Sequence, residues 1–165
     1  MAPQRATLSL RAVIGAMLLA GVHFAVGPFT DGPVRPNFLI IAVLTIVVRV
    51  QPGVAAVIGL MTGAVVDALA PSSFGAAMLT YTAVAYLASW ATASFVADQL
   101  GLLAAFMFAG AWLGDLVYLV AGGGSYEALP VLARLLWSML SAALTALIAV
   151  VLQAIFQPAA PARTR

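Results

Sequence analysis

The chain has 165 residues, 64% of them hydrophobic and only 7% charged, against roughly 25% charged in an ordinary soluble domain. Too few polar side chains exist to cover a water-soluble surface of this size. The composition therefore predicts a single integral membrane domain over residues 1–165 and excludes a separately folding soluble unit. Seven arginines, five acids and no lysine give a net charge of +2, scattered without the basic patch that nucleic acid requires. The absence of cysteine and the single histidine exclude disulfides, thiolate sites, cysteine nucleophiles and a multi-histidine metal site within the chain.

A membrane-spanning helix needs about 20 apolar residues, and the sequence predicts an all-α bundle of six transmembrane helices. Helix 1 is expected at about 12–29, following Arg5 and Arg11. Its apolar run is longer than a signal-peptide core and lacks a clean small-residue cleavage site, so it reads as a retained helix. TDGPVRP at 30–36 is a turn cluster, with Pro36 suited to a first helical position. Helix 2 follows at about 36–50. Its fifteen residues reach only roughly 22 Å, short of a 30 Å hydrocarbon core. A full span is expected, aided by snorkelling of Arg49, with a buried or re-entrant segment as the alternative. QPG at 51–53 leads to helix 3 at about 53–70, and APSSFG at 70–75 to helix 4 at about 75–97. DQLG at 98–101 precedes helix 5 at about 100–121, and GGGSYEALP at 122–130 precedes helix 6 at about 131–156.

The arginines set the expected orientation. With the N-terminus inside, Arg5, Arg11, Arg49, Arg163 and Arg165 are cytoplasmic, and only Arg35 and Arg134 lie outside. Both termini are then cytoplasmic.

Polar residues inside the apolar runs are the candidate sites. Gly59, Gly63 and Asp67 fall at i, i+4 and i+8, one stripe of helix 3. Glycines at that spacing let another helix approach closely, so the stripe is the expected partner-binding or helix-packing face. Asp67 reads first as a buried, paired acid, with a grip on a partner subunit or an ion relay as alternatives. Helix 5 repeats the theme with Gly110, Gly114 and Asp115. Arg35 and Arg134 open helices 2 and 6 at the same end, so Arg35, Asp115 and Arg134 are expected to form an outer-rim polar cluster. An ion pair is expected from one of these arginines to Asp67 or Asp115. Ser72 and Ser73 are placed to cap helix 4. No nucleophile-base set, phosphate loop or metal cluster is present, so no catalytic residue and no cofactor is expected.

The run from Arg35 to Gly75 resembles the bacterial rod shape-determining MreD family. The features are Arg35-Pro36 before an apolar helix, Arg49 with Pro52-Gly53 at the next turn, Gly59, Gly63 and Asp67 in sequence, then Pro71 and Gly75. Where members of that family often carry Asp after Arg-Pro, this chain has Asn37. The resemblance implies a non-enzymatic scaffold subunit of the elongation machinery, multi-pass in the bacterial cytoplasmic membrane and supporting lateral peptidoglycan synthesis. MreC is the implied partner, with MreB, the RodA glycosyltransferase and a class B penicillin-binding protein reached through it. The family is similar in fold to the substrate-binding subunits of energy-coupling-factor vitamin transporters. That kinship supplies the alternative function, which needs an enclosed pocket fed by Asp31, Ser72, Ser73, Ser125, Tyr126 or Glu127.

Overall fold

A computed structural model of the chain describes residues 10–27, 34–69, 74–94, 100–121 and 131–156. They form six helices: α1 (Leu10–Val26), α2 (Phe38–Val47), α3 (Pro52–Leu69), α4 (Ala76–Ser94), α5 (Leu100–Val120) and α6 (Val131–Phe156). Two of them, α3 and the Leu132–Leu152 stretch of α6, are long and apolar enough to cross a membrane. Large apolar side chains face outward along the helices, among them Met17, Val57, Met61, Leu79, Leu136 and Leu147. An exterior this greasy suits lipid rather than water.

Several hydroxyls inside the helices are hidden in the same way. Thr45, Thr62, Thr82 and Thr92 each donate to the carbonyl four residues earlier, at 2.6–2.8 Å. The bond removes the hydroxyl from competition with an apolar surround.

The centre of the fold is α2. Seven of its ten residues are buried, from Leu39 to Leu44 and again at Val47. A helix apolar on every side belongs in the interior, and α2 touches all five others. Here the structure departs from the expected full span. Ten residues give a rise of about 15 Å, half of a hydrocarbon core.

The reason lies in how α2 begins. Residues 34–37 belong to no helix, and their backbone would be costly in an apolar interior without partners. Arg35 N–H donates to Ser141 Oγ at 3.2 Å, and Asn37 N–H donates to Thr145 Oγ1 at 3.0 Å. Pro36 has no N–H, so every donor from 35 to 37 is paired. Ser141 and Thr145 lie at the middle of α6, one turn apart, so α2 starts about half-way along the longest helix.

Asn37 then caps α2, its Oδ1 accepting from Ile40 N–H at 3.0 Å. The far end closes through Arg49 N–H to the Ile46 carbonyl and Val50 N–H to the Val47 carbonyl. Ser89 Oγ of α4 donates to the Val50 carbonyl at 2.7 Å. Pro52 opens α3 at the position where a missing N–H costs nothing.

Candidate functional site

The glycine stripe is a seam between α3 and α4, which run antiparallel. Ala55, Gly59, Gly63 and Asp67 are the buried residues of α3, spaced by four. A methyl group on Gly63 would sit 2.5 Å from the Ala77 carbonyl oxygen and 2.6 Å from Met78 N. One on Gly59 would sit 2.7 Å from the Tyr81 carbonyl carbon and 2.9 Å from Ala85 Cβ. Backbone therefore rests on backbone, with no room for a side chain between. The face expected to accept a foreign helix at Gly59 and Gly63 is filled by α4 of the same chain.

Asp67 completes that seam and is 1% exposed. Its Oδ2 accepts from Gly75 N–H at 2.9 Å and Met78 N–H at 3.0 Å; its Oδ1 accepts from Ala77 N–H at 3.0 Å. These are amides at the start of α4, where no intrahelical acceptor exists. A carboxylate there meets both the free donors and the positive end of the helix dipole. Where an ion pair to Arg35 or Arg134 is the expectation, these three amides are already contacts of Asp67, and a helix start supplies a positive field of its own. Ser72 and Ser73, expected as the caps of α4, lie outside the described residues. Gly75 turns the chain into the helix at φ +98°, a left-handed conformation that glycine adopts without strain.

The second glycine pair is also filled from within. A methyl group on Gly114 would lie 2.9 Å from Ile40 Cδ1, and one on Gly110 would lie 3.1 Å from Leu44 Cδ1. Two α2 side chains one turn apart thus seat in two α5 notches one turn apart. Around them is a polar cluster that the sequence pattern did not reveal. Tyr81 O–H donates to Asn37 Oδ1 at 3.4 Å, and Asp115 and Tyr118 lie within electrostatic reach of Tyr81. Thr80, whose γ-methyl would touch a side chain on Gly114, is buried with no hydrogen-bond partner for its hydroxyl. The available signal was Ser141 with Thr145, two hydroxyl acceptors one turn apart on α6.

Arg35 and Arg134 do not share a level along the backbone. Arg35 N–H reaches Ser141, seven residues along α6 from Arg134, a rise of about 10 Å.

A groove of about 440 Å³ runs between α5 and α6, lined by Ala104, Ala105, Phe108, Ala143, Ala146 and Leu147 among others. It is almost wholly apolar and open to the outside. Four alanines make its floor shallow enough for another helix to lie close. This is not the enclosed polar pocket a vitamin would need, and Asp31, Ser72, Ser73, Ser125, Tyr126 and Glu127 lie outside the described residues. Among the described residues, no cluster of metal-ligating side chains occurs.

No curated protein and no solved structure matches the chain. The profile of the family described as rod shape-determining protein MreD matches residues 6–160, nearly the whole length. With its helices and apolar exterior, the chain therefore belongs to the MreD family of rod shape-determining membrane proteins.

Proposed function

We propose that the protein is a non-enzymatic, multi-pass scaffold of the bacterial cytoplasmic membrane, with both termini cytoplasmic, that binds the membrane helix of MreC. Through MreC it would join MreB, RodA and a class B penicillin-binding protein in lateral peptidoglycan synthesis. Membership of the shape-determining family supports the role in rod shape.

The observation that carries the binding reading is the alanine-lined groove between α5 and α6. Both glycine seams are already occupied, by α4 and by α2 side chains. The groove is a small-residue surface, open to the outside, on which a partner helix would find close packing. Asp115 and Arg134 would help hold the outer end of the bundle in shape, with Arg35 acting deeper along α6, a positioning role rather than a grip on the partner.

Co-expression with MreC tests this. Ala143 and Ala105 are exposed in the groove, so Ala143→Leu and Ala105→Leu add bulk without entering the core. Both should fold normally and lose co-purification of MreC. Undiminished recovery of the complex with both variants would remove the groove from the proposal.

A further inference from the structure

We propose that Arg49 holds the phosphate of an anionic phospholipid at the end of the bundle where α2 turns into α3. The residue is half-buried, and its Nε is closed off from the exterior without a hydrogen-bond partner among the described residues. A guanidinium is a permanent cation with five donors arranged to bind oxyanions. A cation left unmatched in an apolar surround is costly, and because the side chain is only partly buried, an anion from outside the chain can meet the guanidinium nitrogens beyond Nε.

The position is that of a membrane interface. Arg49 follows the C-cap of α2, and the adjoining Val50 carbonyl accepts from Ser89, five residues before the end of α4. The neighbouring residue Trp90 is 57% exposed, and tryptophan favours the headgroup level. Gln51, the next polar residue of the turn, is exposed.

Lipid fits better than an acidic protein segment because of the apolar face that α3 presents beyond this turn. Val54, Val57 and Met61 are each more than half exposed and run down the helix from Arg49. They offer an apolar column to an acyl chain, whereas an acidic peptide would cover only the headgroup level. The opposite face of the same helix is committed to α4.

The test is native mass spectrometry of the full-length, delipidated protein in detergent, with phosphatidylglycerol or phosphatidylcholine added at equal concentration. Wild type should retain the first phosphatidylglycerol about five-fold better, the ratio for one arginine near an anionic lipid. Arg49→Gln should reduce that preference to near one, with its melting temperature checked alongside. Gln51→Glu, at an exposed position, should do the same by repelling the headgroup, and it decides the matter if Arg49→Gln fails to fold. An unchanged preference in either folded variant overturns the proposal. Displacement of the lipid by millimolar inorganic phosphate at fixed ionic strength would identify a soluble-phosphate site and overturn the lipid assignment. Absence of any lipid preference, with Arg49-dependent binding of a polyglutamate peptide, would assign an acidic protein partner instead and overturn it equally.

Discussion

Gly63→Ala is the smallest change that should open the α3–α4 seam. The added methyl would stand 2.5 Å from the Ala77 carbonyl oxygen and 2.6 Å from Met78 N. Ordinary contact needs about 3.5 Å, so the helices must part by about 1 Å. Neither obstacle is the tip of a flexible side chain, and so nothing local can yield instead. The same movement stretches the Asp67 bonds, now 2.9–3.0 Å, to about 4 Å, beyond hydrogen-bond range.

Overpacking alone costs about 1–3 kcal/mol, and each lost bond to a charged group about 1.5–3 kcal/mol. Failure of one such bond along with the packing brings the total to at least about 2.5 kcal/mol. For a chain of this length that lowers Tm by about 5–10 °C, read by thermal unfolding in detergent. Gly21→Ala is the control: nothing lies within 4 Å of its added carbon, and alanine favours a helix by about 1 kcal/mol. It should leave Tm unchanged or raise it. A Gly63→Ala protein melting within about 2 °C of wild type would refute the reasoning. So would strict additivity with Asp67→Asn, because the mechanism makes one lesion forestall part of the other.

Other substitutions probe the remaining joints. Asp67→Ala should cost about 3–5 kcal/mol by stranding three buried amides, and Asp67→Asn less, since its carbonyl still accepts; both are read as Tm in detergent. Thr145→Val keeps the shape but orphans Asn37 N–H, an expected loss of about 1–3 kcal/mol, with faster hydrogen exchange at the start of α2. Gly114→Ala is crowded only by the end of the Ile40 side chain, its other neighbours lying at ordinary contact distance, so it should destabilise less than Gly63→Ala under the same conditions; equal losses would show that the two seams are not distinguished by what faces them.

Much of the architecture was legible because proline and glycine clusters divide the apolar runs at every junction but that between α4 and α5, which Asp98 and Gln99 mark instead. Those breaks are what cut the chain into six helices. The shortness of α2 was half-visible: fifteen apolar residues could not comfortably cross a bilayer, and the structure resolves the tension by starting the helix within it. The Ser141–Thr145 pair permits this, more than 100 residues away from the backbone it serves. No local pattern links the two. The small-residue spacing of Gly59 and Gly63 announced a close helix contact correctly in kind, but spacing carries no information on whether the neighbour belongs to the same chain.

Asp67 could have settled that question. A buried carboxylate in an apolar helix needs either a cation or several amides converging on it. The start of a helix supplies such amides, and in this sequence the next helix begins nine residues later, beyond the segment Pro-Ser-Ser-Phe-Gly. An acid at the end of a glycine stripe and just before a reversal therefore reads as a cap for the following helix. The stripe beneath it must then face that helix too, since a rigid α3 carries Gly63 and Gly59 on the same side as the acid. With the seam assigned inward, a partner helix would need a face with no such acid. The alanine groove of α5 and α6 is such a face, since its lining carries no charged side chain.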